Sequence, residues 1–385
     1  MKVILSSVIT LLLASCSVGI KTREERPYPT DERITSVLSK YVDNQDLAGI
    51  IAVVADGDSI LSLDCLGYSD VENKKPMNPT TLFWIASQSK PVTSVAVMML
   101  AEEGLLNLDE PIATYLPELS KLYAAQDAGN DKKSSVLATT PITLRLLLTH
   151  TSGMTWVGGV QQQAGHIDVL PFHLSLYVTA MTPLLSEPGT KYSYSNQGIN
   201  VCATIVERVS GKSFDQFLQE RLFDPLGMPN TTFWPTDEQL ANYIPPYKKD
   251  ANGKLIPVPL SQLQYPLGDK TKRYPEAAGG LFSTPVDLVK FFQMIANGGV
   301  YQGKRYLSDA SVSELGKNQI GGNIEATWGL GWSITGEYLG HGGACGTESR
   351  VYKNTRRVLM YITQEDGLPA NETARKDFFE TASLR

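Results

Sequence analysis

The chain has 385 residues, 34 Lys and Arg against 40 Asp and Glu for a net charge of −6, and is 42% hydrophobic and 19% charged. So mild an acidity offers no basic face to nucleic acid, and the apolar share is that of a chain that buries a core, which excludes a disordered tail. At roughly 100–200 residues per domain, the length fits one large α/β unit or two lobes.

In chain order, Lys2 precedes a short apolar run through Val8, Ile9 and Leu11–Leu13 to Ala14, Ser15 and Cys16. One positive charge, an apolar stretch well short of the about 20 residues of a membrane span, and small residues before a cut describe a secretory signal. Leu13-Ala14-Ser15-Cys16 resembles a bacterial lipobox, and Ser17 resembles the outer-membrane sorting pattern. The expected plan is a signal over 1–15, a polar tether over 16–30 and a folded domain over 31–385. The protein would be exported and held at the periplasmic face of the outer membrane by lipid on Cys16. A helix is predicted over Asp31–Tyr41 from Ile34, Val37, Leu38 and Tyr41. A hairpin of Ile50–Val54 and Ile60–Cys65 should turn at Asp56-Gly57-Asp58. The next helix starts near Ser87, with Pro91 confined to its first turn, and closes at Gly104.

From about Leu108 to Val286 the pattern is helix and loop with few strand signals, including helices at Leu144–Thr149, Gln197–Val209 and Ser213–Leu222. A helix over Pro285–Ala296 follows, then strands at Leu330–Ile334, Ser349–Tyr352 and Val358–Thr363, and a closing helix from about Glu372 to Leu384. Strands near both ends and helices between them predict an α/β (α+β) fold. An antiparallel sheet is built from both ends of the chain and flanked by helices, with a large, mainly helical lobe inserted at about 108–286. The aromatics Trp156, Tyr177 and Trp234 in that lobe read as buried core rather than as an acyl site, and the stretch Ala124–Thr140 as a long insert.

Ser87-Gln88-Ser89-Lys90 is an SxxK motif, and i and i+3 share a helix face, so hydroxyl and amine can meet. A desolvated lysine of lowered pKa can take the serine proton, and the helix start offers the Ser87 N–H to an oxyanion. Tyr194-Ser195-Asn196 supplies a phenol, read as a tyrosinate that could accept the serine proton, and an amide able to hold a substrate carbonyl. His341-Gly342-Gly343, just before the late strands, marks an edge along which substrate could lie, with the Ala344 N–H as second oxyanion donor. Tyr352-Lys353-Asn354 repeats the YxN spacing but reads as structural. The histidines His150, His166, His173 and His341 are scattered, and HExxH and CxxC are absent, so no metal or cofactor is expected.

Taken together, these three elements resemble the serine β-lactamase and penicillin-binding superfamily, and the tyrosine in the second points to its class C branch. Leu147-Leu148-Thr149-His150-Thr151-Ser152-Gly153, Pro188-Gly189 and Ala278-Gly279-Gly280-Leu281 with Ser283 extend the likeness over about residues 30–366. The resemblance implies a β-lactamase/transpeptidase-like fold and an acyl-enzyme mechanism. Ser87 would attack, Lys90 and Tyr194 would share the proton work, the N–H groups of Ser87 and Ala344 would hold the oxyanion, and Asn196 would position substrate. His150 reads as loop support. His341 and Gly342 stand where the family carries the Lys and Thr of KTG, which suit a substrate carboxylate better. The expected activity is therefore carboxylesterase-like hydrolysis of small esters. D-amino-acid peptidase or weak β-lactamase activity is the alternative, and a catalytically silent cell-wall binding protein is the reading from another class. The expected partners are a small ester or amide and, through Cys16, the membrane.

Overall fold

The computed structural model describes residues 28–127 and 133–383. The signal, Cys16 and most of the tether lie outside the described residues. A seven-stranded antiparallel sheet is built from β1 (Gly49–Ala55), β2 (Ile60–Asp70), β3 (Lys75–Pro76), β4 (Ser333–Ile334), β5 (Leu339–Gly343), β6 (Thr347–Tyr352) and β7 (Arg357–Ile362), in the spatial order β4-β5-β6-β7-β1-β2-β3. The two ends of the sequence meet at its centre, where Ile51 pairs with Ile362 and Val54 with Leu359.

The sequence of β1, Gly-Ile-Ile-Ala-Val-Val-Ala, lacks the alternation of a half-exposed strand, and all seven residues are buried. A continuous apolar run suits a strand covered on both faces. The cover comes from α1 (Glu32–Asp43), α5 (Pro285–Ala296) and α6 (Ala370–Ser383): α1 packs on α6 and β2, and α5 packs on β1, β6 and β7. Helix α5 starts where the sequence predicts, with Pro285 in its first turn and Thr284 accepting from the Asp287 N–H as N-cap. A proline there loses no intrahelical bond.

The inserted lobe carries α3 (Phe172–Met181) and α4 (Asn196–Ser210), the latter packed against α2 (Ser89–Glu102). It holds more strand than the sequence suggested. Tyr123–Asp127 pairs with Lys133–Leu137, so part of the Ala124–Thr140 insert is a two-stranded ribbon, and Tyr247–Lys249 pairs with Leu255–Pro257. Of the predicted Leu330–Ile334 strand only Ser333 and Ile334 pair, because Gly331 takes φ +76 against α2 and breaks the run. The assignment of Trp156 and Tyr177 to the core is also corrected: the side chains are 50% and 56% exposed on the lobe surface. Trp234 is partly buried, its indole N–H donating to the Arg273 carbonyl at 3.1 Å.

A buried ion pair ties the lobe together. Arg273 donates to Asp168 at 2.6 Å, with both side chains almost sealed from solvent, and also to the carbonyls of Phe233 and Leu267. Such a pair needs every donor satisfied to offset desolvation, and here it anchors the segment that leads into Glu276.

Candidate active site

Ser87 lies in a 3₁₀ turn, Ala86–Gln88, that runs into α2, so the predicted helix start is one tight turn followed by regular helix. Ala86 has φ +47, a left-handed conformation that costs a residue with a Cβ about a kilocalorie or more. Ser87 is partly exposed, whereas its neighbours Ala86, Gln88, Ser89 and Lys90 are buried. The Lys90 ammonium donates to Ser87 Oγ at 3.1 Å and to the Ala278 carbonyl at 2.8 Å, and stands 4.6 Å from the centroid of the Tyr194 ring. Burial pulls its pKa down to about 7, partly opposed by the Glu276 carboxylate. A buried amine with so little countercharge is near half neutral at physiological pH.

Tyr194 arrives through the cap of α4. Ser195 is the N-cap: its hydroxyl accepts from the Gly198 N–H at 2.9 Å and donates to the Thr155 carbonyl at 2.7 Å. His150, itself at φ +58, brackets the tyrosine, its carbonyl accepting from Ser193 N–H at 2.8 Å and its Nδ1 from Ser195 N–H at 3.1 Å. Its ring lies 4.4 Å from that of Tyr194. Desolvation, then Lys90 and His341, hold the His150 pKa well below its usual range, so the ring stays neutral and can accept. Desolvation also raises the Tyr194 pKa far above its ordinary value, against a hydrogen bond with Ser87. The expected tyrosinate is therefore corrected: the buried phenol keeps its proton, and the neutral amine is the available base.

His341 and Gly342 lie within strand β5 rather than before the strands, and β4 pairs only with Leu339 and Gly340. The other half of β5 leaves one edge open among the described residues, beside the turn holding Ser87, against which β5 and the Ala344–Gly346 turn pack. Gly343 permits that approach, since a Cβ would collide with the Ile85 carbonyl oxygen. His341 is buried, and desolvation followed by Lys90 brings its pKa down to about 3. Its Nδ1 contacts the Gly342 carbonyl, which must be a donation from Nδ1–H; Nε2 is then an acceptor, 3.5 Å from the Tyr194 hydroxyl. Asn196 is buried at the start of α4, and its Oδ1 has no hydrogen-bond partner among the described residues.

Two participants escaped the sequence reading. Trp328 closes an aromatic box with ring centroids 6.0 Å from Tyr194, 5.6 Å from His341 and 5.3 Å from His150. Glu276, 2% exposed, accepts from Asn200 Nδ2 at 2.9 Å. The sequence offered one hint for the second: a lone acid at the head of the otherwise uncharged run Ala277–Val286.

A model of the Beta-lactamase family matches residues 34–380, and the chain belongs to that family, within the serine β-lactamase and penicillin-binding superfamily. Among individual relatives, the Mycobacterium tuberculosis protein Rv1367c is 33% identical over 273 residues, 69% of this chain, and the match spans 66% of that relative's own length, just under two thirds. Esterase EstB of Burkholderia gladioli is 28% identical over 328 residues, 78% of each chain. The simvastatin synthase LovD of Aspergillus terreus shares the fold, with a TM-score of 0.76 at 21% identity over 92% of this chain and 98% of that one.

Proposed function

We propose that this chain is a serine hydrolase of the class C β-lactamase-like branch that cleaves small uncharged carboxylic esters through an acyl-enzyme on Ser87. The observation that carries the reading is the buried Lys90 amine, 3.1 Å from a partly exposed Ser87 hydroxyl and drawn down to about pKa 7 by desolvation. Ser87 Oγ bonds to the ester carbonyl carbon as its proton passes to Lys90 Nζ. The N–H groups of Ser87 and Ala344 hold the oxyanion, which is where fixed donors lower an acyl-transfer barrier most. As the tetrahedral species collapses, the C–O bond to the leaving alcohol breaks and the Tyr194 hydroxyl gives that oxygen a proton, replaced from the Lys90 ammonium. Water then attacks the acyl-enzyme, giving its proton to the same pair, and the carboxylic acid leaves with Ser87 restored.

The ester preference rests on charge. His341, neutral down to about pH 3, occupies the position where a carboxylate-bearing substrate would need a cation. Asn196 would give its Nδ2–H to the substrate carbonyl, leaving its unpartnered Oδ1 for a substrate donor. The similarity to EstB, an esterase by name, points the same way.

Wild type and Ser87→Ala are compared on p-nitrophenyl butyrate, nitrocefin and a D-Ala-D-Ala peptide. Ester turnover abolished by the substitution is the expected result. Turnover indifferent to it overturns the mechanism, and faster nitrocefin or peptide turnover overturns the substrate class alone. The envelope address is a separate proposal: wild type should incorporate labelled palmitate and Cys16→Ala should not.

A further inference from the structure

Glu276 stands outside the steps above, yet it is a carboxylate buried within the same wall. It heads the segment Glu276–Gly279, which is clamped from two sides. From α2, Lys90 donates to the Ala278 carbonyl at 2.8 Å and Thr93 to the Ala277 carbonyl at 2.7 Å. From α4, Asn200 accepts from the Ala277 N–H at 3.0 Å and donates to Glu276 Oε1 at 2.9 Å. The second oxygen, Oε2, is buried and short of a full hydrogen bond among the described residues, with the Gly279 N–H the backbone donor that stabilises the carboxylate. It points toward the nucleophile's turn, since a Cβ added at Gly279 would meet Oε2 at 3.4 Å and the Ala86 carbonyl carbon at 3.7 Å. An ionised carboxylate buried with one oxygen unsatisfied is costly, and a native site that keeps one needs a reason.

The charged and titratable groups around it supply that reason. From α2 it faces Lys90; the acid Asp168 also bears on it but is neutralised by Arg273 of Glu276's own segment; Tyr194, neutral, feels its charge from the start of α4. His150 and His341 face Lys90 and are both neutral. Lys90 is thus the cation that opposes the desolvation of Glu276, and Glu276 is the anion that opposes the desolvation of Lys90.

We propose that Glu276 is the positioning residue that sets the pH at which Lys90 becomes a base, acting across the wall they share as its countercharge, so that the charge on each favours the charge on the other. This rests on the reading of Ser87 as nucleophile and Lys90 as its base. The Asn200 bond and the weaker Gly279 N–H stabilise the carboxylate, while Oε2, short of a full partner, leaves room for the proton of the acid, so neither form is locked. Desolvation raises Glu276 and lowers Lys90, each opposed by the charge of the other, so the protonation of one depends on that of the other.

The test is the second-order rate of labelling by a fluorophosphonate, in which Ser87 Oγ bonds to phosphorus, fluoride leaves and the serine proton goes to Lys90. Removing the anion in Glu276→Gln, which can still accept from Asn200, removes the charge that raises Lys90. The acid limb of the pH profile should then move down by about one pH unit or more, about a fivefold or greater gain in relative rate one unit below the wild-type limb. A purely structural role would scale the whole profile and leave the limb in place, and that result overturns the proposal. Wild type alone gives a second reading, whatever the variant's folding. Two coupled groups titrate in two steps, so the limb should be broader than the about two pH units that one proton spans between a tenth and nine tenths, and a limb that fits a single proton overturns the proposal. Absence of label on Ser87 in wild type defeats instead the mechanism on which the proposal rests.

Discussion

The sheet half and the inserted lobe treat apolar surface in opposite ways. Every residue of β1 and all but the first of β7 are buried, whereas ten of the twelve large apolar side chains exposed among the described residues fall in 108–286, leaving only Tyr68 and Leu105 elsewhere. Tyr177 and Met181 of α3 are 56% and 76% exposed, and no Asp, Glu, Lys or Arg occurs between Asp168 and Glu187. The site lies on the seam. Ser87, Lys90, His341 and Ala344 come from the sheet side, and Tyr194, Asn196 and Glu276 from the lobe. One buried core runs through both halves, so the contrast teaches that the lobe adds an apolar outer surface that the sheet half lacks, with the chemistry placed where the two are docked.

Substitutions across the seam sharpen this division. Ser87→Ala is expected to lower ester kcat/KM by about a thousandfold or more with the melting temperature unchanged, because removing a nucleophile removes a covalent route and not a packing contact. Arg273→Ala should act in the reverse sense. It strands Asp168 as a buried lone charge and should cost about 3–5 kcal/mol in urea unfolding. If that loss appears as an early partial transition, the lobe melts separately; a single cooperative transition would show the halves to be one unit. Tyr194→Phe keeps the ring in its aromatic box and deletes the proton relay, so kcat should fall about a hundredfold with KM little changed.

The pH profile is expected to be milder still. Protonating Lys90 removes the base, so kcat/KM should fall as pH drops through about 7. His341, uncharged until about pH 3, should add no inflection near the usual histidine value, and one that vanished in His341→Asn would contradict its burial. The smallest effect belongs to the lobe surface. Met181→Ser should alter stability by less than about 0.5 kcal/mol, as an exposed change without partners does.

Much of the sheet half could be read from residue order alone, because its determinants are local. A proline in the first turn and a threonine cap fix α5, and an unbroken apolar heptapeptide fixes β1. SxxK was equally legible, since the two partners sit three positions apart across a tight turn and the first turn of α2. The lobe hid more. Its ribbon at Tyr123–Asp127 and Lys133–Leu137 groups its apolar residues at one end and its polar ones at the other, so the alternation that betrays a strand is weak. Trp156 and Tyr177 were assigned inward on hydrophobicity, a rule that fails in one direction because large apolar groups also populate surfaces. Glu276 and Trp328 gave almost no signal, because the first meets Lys90 from 186 positions away and the second meets Tyr194 from 134. The tyrosine's protonation could not be read either, being a matter of burial.

The pairing of Ile51 with Ile362 constrains when the enzyme can come into being. Closing a chain segment of some three hundred residues carries a large entropic debt, and such non-local partners assemble slowly. A polypeptide delivered amino end first would present the SxxK serine long before β7 arrives to complete the sheet beside it. Topology thereby works as a timer, withholding the proposed site until nearly the whole domain has been delivered.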